Sequence, residues 1–224
     1  MTEPDDRQYR LVVLDWDGTV MDSLGVIVAC AQEGARDLGL PVPGDDAIRH
    51  LVGLKLDIMA KQLFAQHGDA QARWIERYSF HWIHTFHDRL QLLPQARQAV
   101  EALDAEGYLL AVATGKSRRG LSRDFESTGL GPIFVASRTV DEAPSKPSPT
   151  MLLDLMDELG VRKERTLMVG DTTHDLEMAA NAEVDAVGVL CGSHDEATLR
   201  GAGPKDVLAH LGELPAWLAA QSKS

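Results

Sequence analysis

The residues with the most evident chemistry lie in Leu11-Val12-Val13-Leu14-Asp15-Trp16-Asp17-Gly18-Thr19-Val20, where an apolar run meets two carboxylates one residue apart, then a glycine and a hydroxyl. The run has the length and branching of a buried strand. Asp15 and Asp17 therefore fall where the strand stops and the chain turns. Two acids side by side at a buried strand end are costly unless a cation or a proton compensates them. A hard divalent ion such as Mg²⁺ suits the task, because it takes oxygen ligands and is often held by one or two carboxylates plus phosphate. The competing reading is a surface turn, where Asp and Gly are common.

The elements that must position these acids alternate along the second half of the chain. Strands are expected over Tyr108–Ala113, Ile133–Ala136, Thr166–Val169 and Ala186–Leu190. Helices are expected over Gln95–Glu106, Ser117–Thr128, Pro149–Leu159 (Ser148 as cap), Thr173–Asn181, Lys205–Leu211 and Pro215–Ala220. Such alternation argues an α/β fold, a Rossmann-like parallel sheet with helices on both faces. In that architecture ligands bind outside the carboxyl ends of the strands. Thr114-Gly115-Lys116 and Gly170-Asp171-Thr172-Thr173-His174-Asp175 stand at two further strand exits on the same edge as Asp15. Lys146, in a loop stiffened by prolines on both sides, is free to join them. Their company makes the surface-turn reading improbable.

Together these residues suit phosphoryl transfer through an aspartyl-phosphate. Asp15 would attack phosphorus. Asp17 would protonate the leaving oxygen and then deprotonate the hydrolytic water. Mg²⁺ would be held by Asp15 and Asp171, by the backbone carbonyl of Asp17, and by Asp175 as a ligand or as an orienting group. Thr114, Lys146 and backbone N–H groups would hold the phosphate oxygens.

Between Val20 and Leu90 no strand is expected. Helical periodicity occupies Leu24–Leu38, with Ser23 as N-cap and Gly39 as stop, then Asp46–Leu51, Leu56–Gln66 and Asp69–Leu90. This places a helical cap, residues 22–91, inside a core formed by residues 1–21 and 92–224. Gly25 and the Leu92–Pro94 turn are the expected hinges.

Composition narrows the function classes. The 224 residues, 44% hydrophobic and 25% charged, describe a globular chain. A net charge of −12 disfavours nucleic acid as partner. No apolar stretch is long enough for a membrane span. Met1–Arg10 reads as a charged, frayed tail rather than a signal peptide. Cys30 and Cys191 are too few for a disulfide framework and suit a reducing compartment, so a cytoplasmic location is expected. Monomer and homodimer both remain open.

Asp15-Trp16-Asp17-Gly18-Thr19, Thr114, Lys146 and Gly170-Asp171-Thr172-Thr173-His174-Asp175 resemble the four ordered motifs of the haloacid dehalogenase-like hydrolase superfamily. The resemblance spans nearly the whole chain, and the block after the first motif is similar to the small cap of the phosphoglycolate phosphatase-like subgroup. It implies a Rossmann-like core, a mobile helical cap and Mg²⁺-dependent phosphatase activity on a small phosphorylated metabolite. Three departures stand out. Trp16, between the aspartates, is expected as a core aromatic. Gly115 stands where many relatives carry Asn, leaving only its backbone N–H for phosphate. Glu183 replaces a frequent Gly and, if left-handed, costs about 1 kcal/mol.

Residues Arg49 to Lys55 match the subgroup's substrate-specificity loop in position. Lys55, then Arg49, are candidates for contacting the organic part of the ester; each also reads as a solvated helix-end base. His81, His84 and His87 have conceivable zinc spacing, but helix packing is the preferred reading. His174 reads equally as a site-mouth or an exposed residue, and Arg118-Arg119 as solvated charges. A phosphosugar mutase uses the same residues, and a catalytically idle binding protein on this fold is the rival from another class. Haloacid dehalogenation gains nothing from Asp17 as a leaving-group acid.

Overall fold

A computed structural model describes residues 7–221. Its elements in chain order are β1 (Leu11–Leu14), β2 (Met21–Asp22), α1 (Leu24–Asp37), α2 (Asp45–Arg49), α3 (Leu56–Leu63), α4 (Gln71–His84) and β3 (Gln91–Leu92). There follow α5 (Ala96–Ala105), β4 (Leu109–Thr114), α6 (Arg118–Thr128), β5 (Phe134–Thr139), α7 (Thr150–Leu159) and β6 (Thr166–Gly170). The chain closes with α8 (Thr173–Asn181), β7 (Asp185–Val189), α9 (Glu196–Gly201), β8 (Asp206–Leu208) and α10 (Leu214–Gln221).

Six strands form one parallel sheet in the order β5-β4-β1-β6-β7-β8. β1 lies at its centre, with Leu14 opposite Val112 of β4 on one side and Val169 of β6 on the other. Its side chains alternate between two cores, as the period of a strand requires. Val12 and Leu14 join Val100, Leu103 and Leu218 on one face. Leu11 and Val13 join Leu152, Leu155 and Leu176 on the other. All four β1 side chains are fully buried, which explains the unbroken apolar run. The helices of the insertion close a third core of their own around Cys30, Ala31, Ile48, Phe64 and Trp74.

Several expectations need correction. Lys205–Leu211 is not a helix: Asp206–Leu208 pairs with β7 as the edge strand, because Val207 and Leu208 find backbone and apolar partners on the sheet that a free helix would lack. Met21–Asp22 and Gln91–Leu92 form a small antiparallel ribbon where no strand was expected, at the points where the chain enters and leaves the helical block. α7 begins at Thr150 with Pro149 rather than Ser148 as its cap. Ser23 is the N-cap residue of α1, as expected, and makes no side-chain capping bond. The tail is tied down from Arg7 onward: Tyr9 is buried and donates to Asp185 Oδ2 at 2.9 Å, while residues 1–6 lie outside the described part. Glu183 does take a left-handed backbone (φ 55°), and its carboxylate pairs with Lys163 at 2.5 Å.

Candidate active site

The carboxyl ends of β1, β4 and β6 converge, with the loop before α7, on a group of buried polar side chains. Asp15, Thr114, Lys146, Asp171 and Asp175 are each at most 1% exposed, and Asp17 is 8% exposed. The local chain explains the placement. After β1 the backbone reverses at Gly18, whose φ of +85° suits glycine, and a Cβ there would lie 2.5 Å from Asp171 Oδ2. Thr19 then donates its hydroxyl to Asp171 Oδ1 at 3.0 Å, and the Ser193 amide donates to Asp171 Oδ2 at 2.7 Å. At the start of α8, Thr172 and Asp175 form a capping box, with the Thr172 hydroxyl donating to Asp175 Oδ2 at 2.8 Å.

Two buried lysines organise the charge. Lys146 Nζ sits 2.6 Å from Asp15 Oδ1 and 2.5 Å from Asp175 Oδ1. Burial opposes its charge, but the two carboxylates outweigh this and its pKa is raised. Lys116 Nζ sits 3.0 Å from Asp17 Oδ1 and 3.0 Å from Asp124 Oδ2. Burial likewise opposes its charge and the carboxylates again raise its pKa. Trp16 completes this second cluster, donating its indole N–H to Asp124 Oδ2 at 2.8 Å while packing edge-on against Phe125 and Phe134. It is a core aromatic that also braces the site.

The acids outnumber their cations. Ligand atoms of Asp15, Asp171 and Asp175 lie within 4.8 Å of one another, and Asp15 Oδ2 is buried without a hydrogen-bond partner. Burial raises the Asp15 pKa well above the carboxylate range, with Lys146 opposing and Asp175 and Asp171 adding to the rise. Burial and the Asp175 charge push Asp171 up to about 7. A divalent cation with oxygen ligands relieves the crowding of the three carboxylates, so the donor set fits such an ion.

The helical block reaches the site at several points. Lys55 N donates to Ser145 Oγ at 3.0 Å, beside Lys146. Gly53, with φ +87°, brings its carbonyl against Gly115 so closely that a Cβ on Gly115 would overlap it. Gly115 is thus small because the loop of the insertion occupies the space an Asn side chain would need. Trp82 of α4 places its ring over Lys116 Nζ, 4.3 Å from the ring centroid. The His174 ring nitrogen Nε2 contacts the His50 carbonyl at 3.0 Å, so His174 bridges to the insertion rather than lining an open mouth.

Between the two layers lies a cavity of about 420 Å³. Asp15, Asp17, Thr114, Gly115 and Lys55 border it, whereas Arg49 at the end of α2 does not. Arg118 is turned away into a bidentate pair with Glu142, while Arg119 borders the cavity. The three histidines of α4 and beyond do not gather: His81 is buried against Asp37 and Thr85. From sequence, Lys116 is placed at the strand exit but given no role, and Asp124 is not singled out. The strand exit shared with Thr114 is the signal for Lys116; Asp124 reads in the sequence as an ordinary helix charge.

A parallel sheet carrying strand-end carboxylates, a strand-end threonine and a loop lysine, with a helical insertion behind the first strand, defines a Rossmann-like core with an inserted helical cap. The chain belongs to the haloacid dehalogenase-like hydrolase family, whose model matches residues 12–189. It is 34% identical over 215 residues to "Probable phosphatase IndB" of Dickeya dadantii, covering 91% of each chain. It is 27% identical to a phosphoglycolate phosphatase of Vibrio parahaemolyticus, covering 96% of each. A hydrolase from Pseudomonas syringae of solved structure shares the fold, with a TM-score of 0.84 at 24% identity over 93% of this chain and 97% of that one.

Proposed function

We propose that this protein is a Mg²⁺-dependent phosphatase of the phosphoglycolate phosphatase-like subgroup that hydrolyses a small phosphomonoester through an aspartyl-phosphate on Asp15. One observation carries the reading: Asp15 is buried at the end of the central strand with one oxygen on Lys146 and the other unpartnered, and it faces a cavity shared with Asp17 and Thr114. A carboxylate held by one oxygen and free at the other is placed for nucleophilic attack. Family membership and the kinship with IndB point to phosphoric monoester hydrolysis.

In this reading a bond forms between an Asp15 oxygen and phosphorus while the bond from phosphorus to the alcohol oxygen breaks. The departing oxygen takes the proton of Asp17. Water then attacks phosphorus, Asp17 takes a proton from it, the bond to Asp15 breaks, and inorganic phosphate leaves. Thr114, the Gly115 backbone and Lys146 hold the phosphate oxygens. Asp15, Asp171, the Asp17 carbonyl and Asp175 are the groups that would hold Mg²⁺, which when bound neutralises charge between phosphate and nucleophile. Residues 22–91 act as a cap on a core of residues 1–21 and 92–224, and the β2–β3 ribbon marks the crossing between them. No helix among the described residues is long and apolar enough to cross a membrane, and the free thiols Cys30 and Cys191 support a cytoplasmic site of action.

The test is phosphate release from acetyl phosphate, a donor too small to depend on the cap. Release is expected with Mg²⁺, to stop on chelation, and to fall by about 10³-fold or more in Asp15→Asn. Turnover that survives either change would overturn the assignment.

A further inference from the structure

The cavity carries more chemistry than phosphoryl transfer requires. Its cap side presents Ile27, Met59, Ile75, Tyr78 and Trp82. These side chains belong to the cap's own apolar core or pack against it, and they leave a face toward the cavity. Its volume, about 420 Å³, falls among pockets for drug-sized ligands, roughly 300–1,000 Å³. A two-carbon hydroxy acid such as glycolate would leave most of that apolar wall against water.

The charged groups lining the same space divide into committed and uncommitted. Lys116 is held by Asp17 and Asp124. Asp141 accepts from the Arg118 amide at 2.8 Å; Asp57 lies 3.9 Å from Lys61, with its Oδ1 buried and without a hydrogen-bond partner. Lys55, Arg119 and Arg123 border the cavity, and among the described residues none of them forms an ion pair. Arg119 and Arg123 are four residues apart on α6, on one helical face. Three uncommitted cations on one cavity, in a chain of net charge −12, describe a receptor for an anion.

We propose that the substrate is a phosphomonoester whose alcohol carries a ring-sized apolar body, lodged against Ile27, Met59, Ile75, Tyr78 and Trp82, and ends in a second anionic group met by Lys55, Arg119 and Arg123. This rests on the phosphatase reading above and uses the same bonds: phosphorus passes from the alcohol oxygen to Asp15 and then to water, and the alcohol leaves with the proton of Asp17. The cap wall selects the body through apolar contact, and the cations select its far end through charge-assisted hydrogen bonds.

The experiment compares kcat/KM of the full-length protein with Mg²⁺ for acetyl phosphate, phosphoglycolate, benzyl phosphate and 4-carboxybenzyl phosphate. The last three are alkyl esters, so leaving-group reactivity does not decide the order. Benzyl phosphate is expected to exceed phosphoglycolate by about 10–100-fold. 4-Carboxybenzyl phosphate is expected to exceed benzyl phosphate by a further factor of about ten. In Arg119→Ala/Arg123→Ala the ratio between the two benzyl esters is expected to fall toward one. Asp15-dependent turnover of acetyl phosphate with phosphoglycolate preferred over both benzyl esters would overturn this inference and leave the phosphatase reading standing. A benzyl-ester ratio unchanged in the double variant would remove the role of the two arginines. Absence of any Asp15-dependent turnover, acetyl phosphate included, would overturn both.

Discussion

The core wall and the cap wall of the cavity are built on opposite plans. At the strand ends of the core wall the charges are buried and braced: Lys146 lies between Asp15 and Asp175, and Lys116 lies between Asp17 and Asp124. On the cap wall the surface is apolar and aromatic, and the uncommitted cations stand at its margin, Lys55 on the cap and Arg119 and Arg123 on α6 of the core. A reaction centre must hold a few groups in fixed protonation states and positions, so each is braced by a partner. A selecting surface must match a shape and leave its charges for the ligand, so its groups stay unpaired until the ligand arrives. The two lysines sharpen the contrast, because both serve the core wall and yet Lys116 also carries the cap's Trp82 on its ammonium.

Apart from loss of Asp15 itself, the largest effect expected from breaking this arrangement is at Lys116. Lys116→Met strips the partner from Asp17 and is expected to lower kcat by about 10²-fold. It also leaves Asp124 buried without its cation, at a cost of about 3 kcal/mol in urea unfolding. Adding Asp124→Asn is expected to restore stability and not activity. Recovery of both together would mean that Lys116 matters only for folding.

Gly115→Asn probes the meeting of the two walls. The added side chain displaces the Gly53 loop of the cap, so KM for a bulky ester is expected to rise by about tenfold while acetyl phosphate is less affected. An equal loss on both substrates would place the damage in the phosphate site instead.

The smallest expected effect is a pH dependence of stability at His194, which stacks on His50 of the cap, their ring centroids 5.6 Å apart. Its Nδ1 accepts from the Thr173 amide at 3.0 Å, which fixes the neutral ring. Burial lowers its pKa below the ordinary 6.5, with His174 and His50 adding to the fall. The unfolded chain therefore binds this proton more readily, and stability is full above about pH 6.5 and declines as pH falls through that range. His194→Asn keeps an acceptor for Thr173 and is expected to flatten the decline in urea midpoints between about pH 7 and pH 5. An unchanged slope would assign it to other groups.

The same division between walls governs how much was legible from sequence. Apolar runs that end in Asp15, Thr114 and Asp171 declare a sheet edge and its chemistry together, because parallel strands bring their exits to one side. The Gly115 departure was visible as a missing side chain, but its cause, the Gly53 carbonyl, lies across the insertion and has no local signal. Asp124 reads as a solvated helix charge because only the fold buries it beneath Trp16. Lys205–Leu211 was misread as helix because the Val207–Leu208 pair is too short to show a period, and pairing with β7 decides its conformation. His194 lies in a loop whose register against the cap no pattern encodes.

The central claim is that Asp15 becomes phosphorylated during turnover, and trapping that species tests it directly. Protein mixed with Mg²⁺ and acetyl phosphate is quenched in acid within the turnover time, digested, and its peptides are weighed. The account predicts a phosphoryl adduct on Asp15, absent from Asp15→Asn and from the chelated sample. An adduct on another residue, or steady turnover with Asp15 never labelled and dispensable, would contradict it.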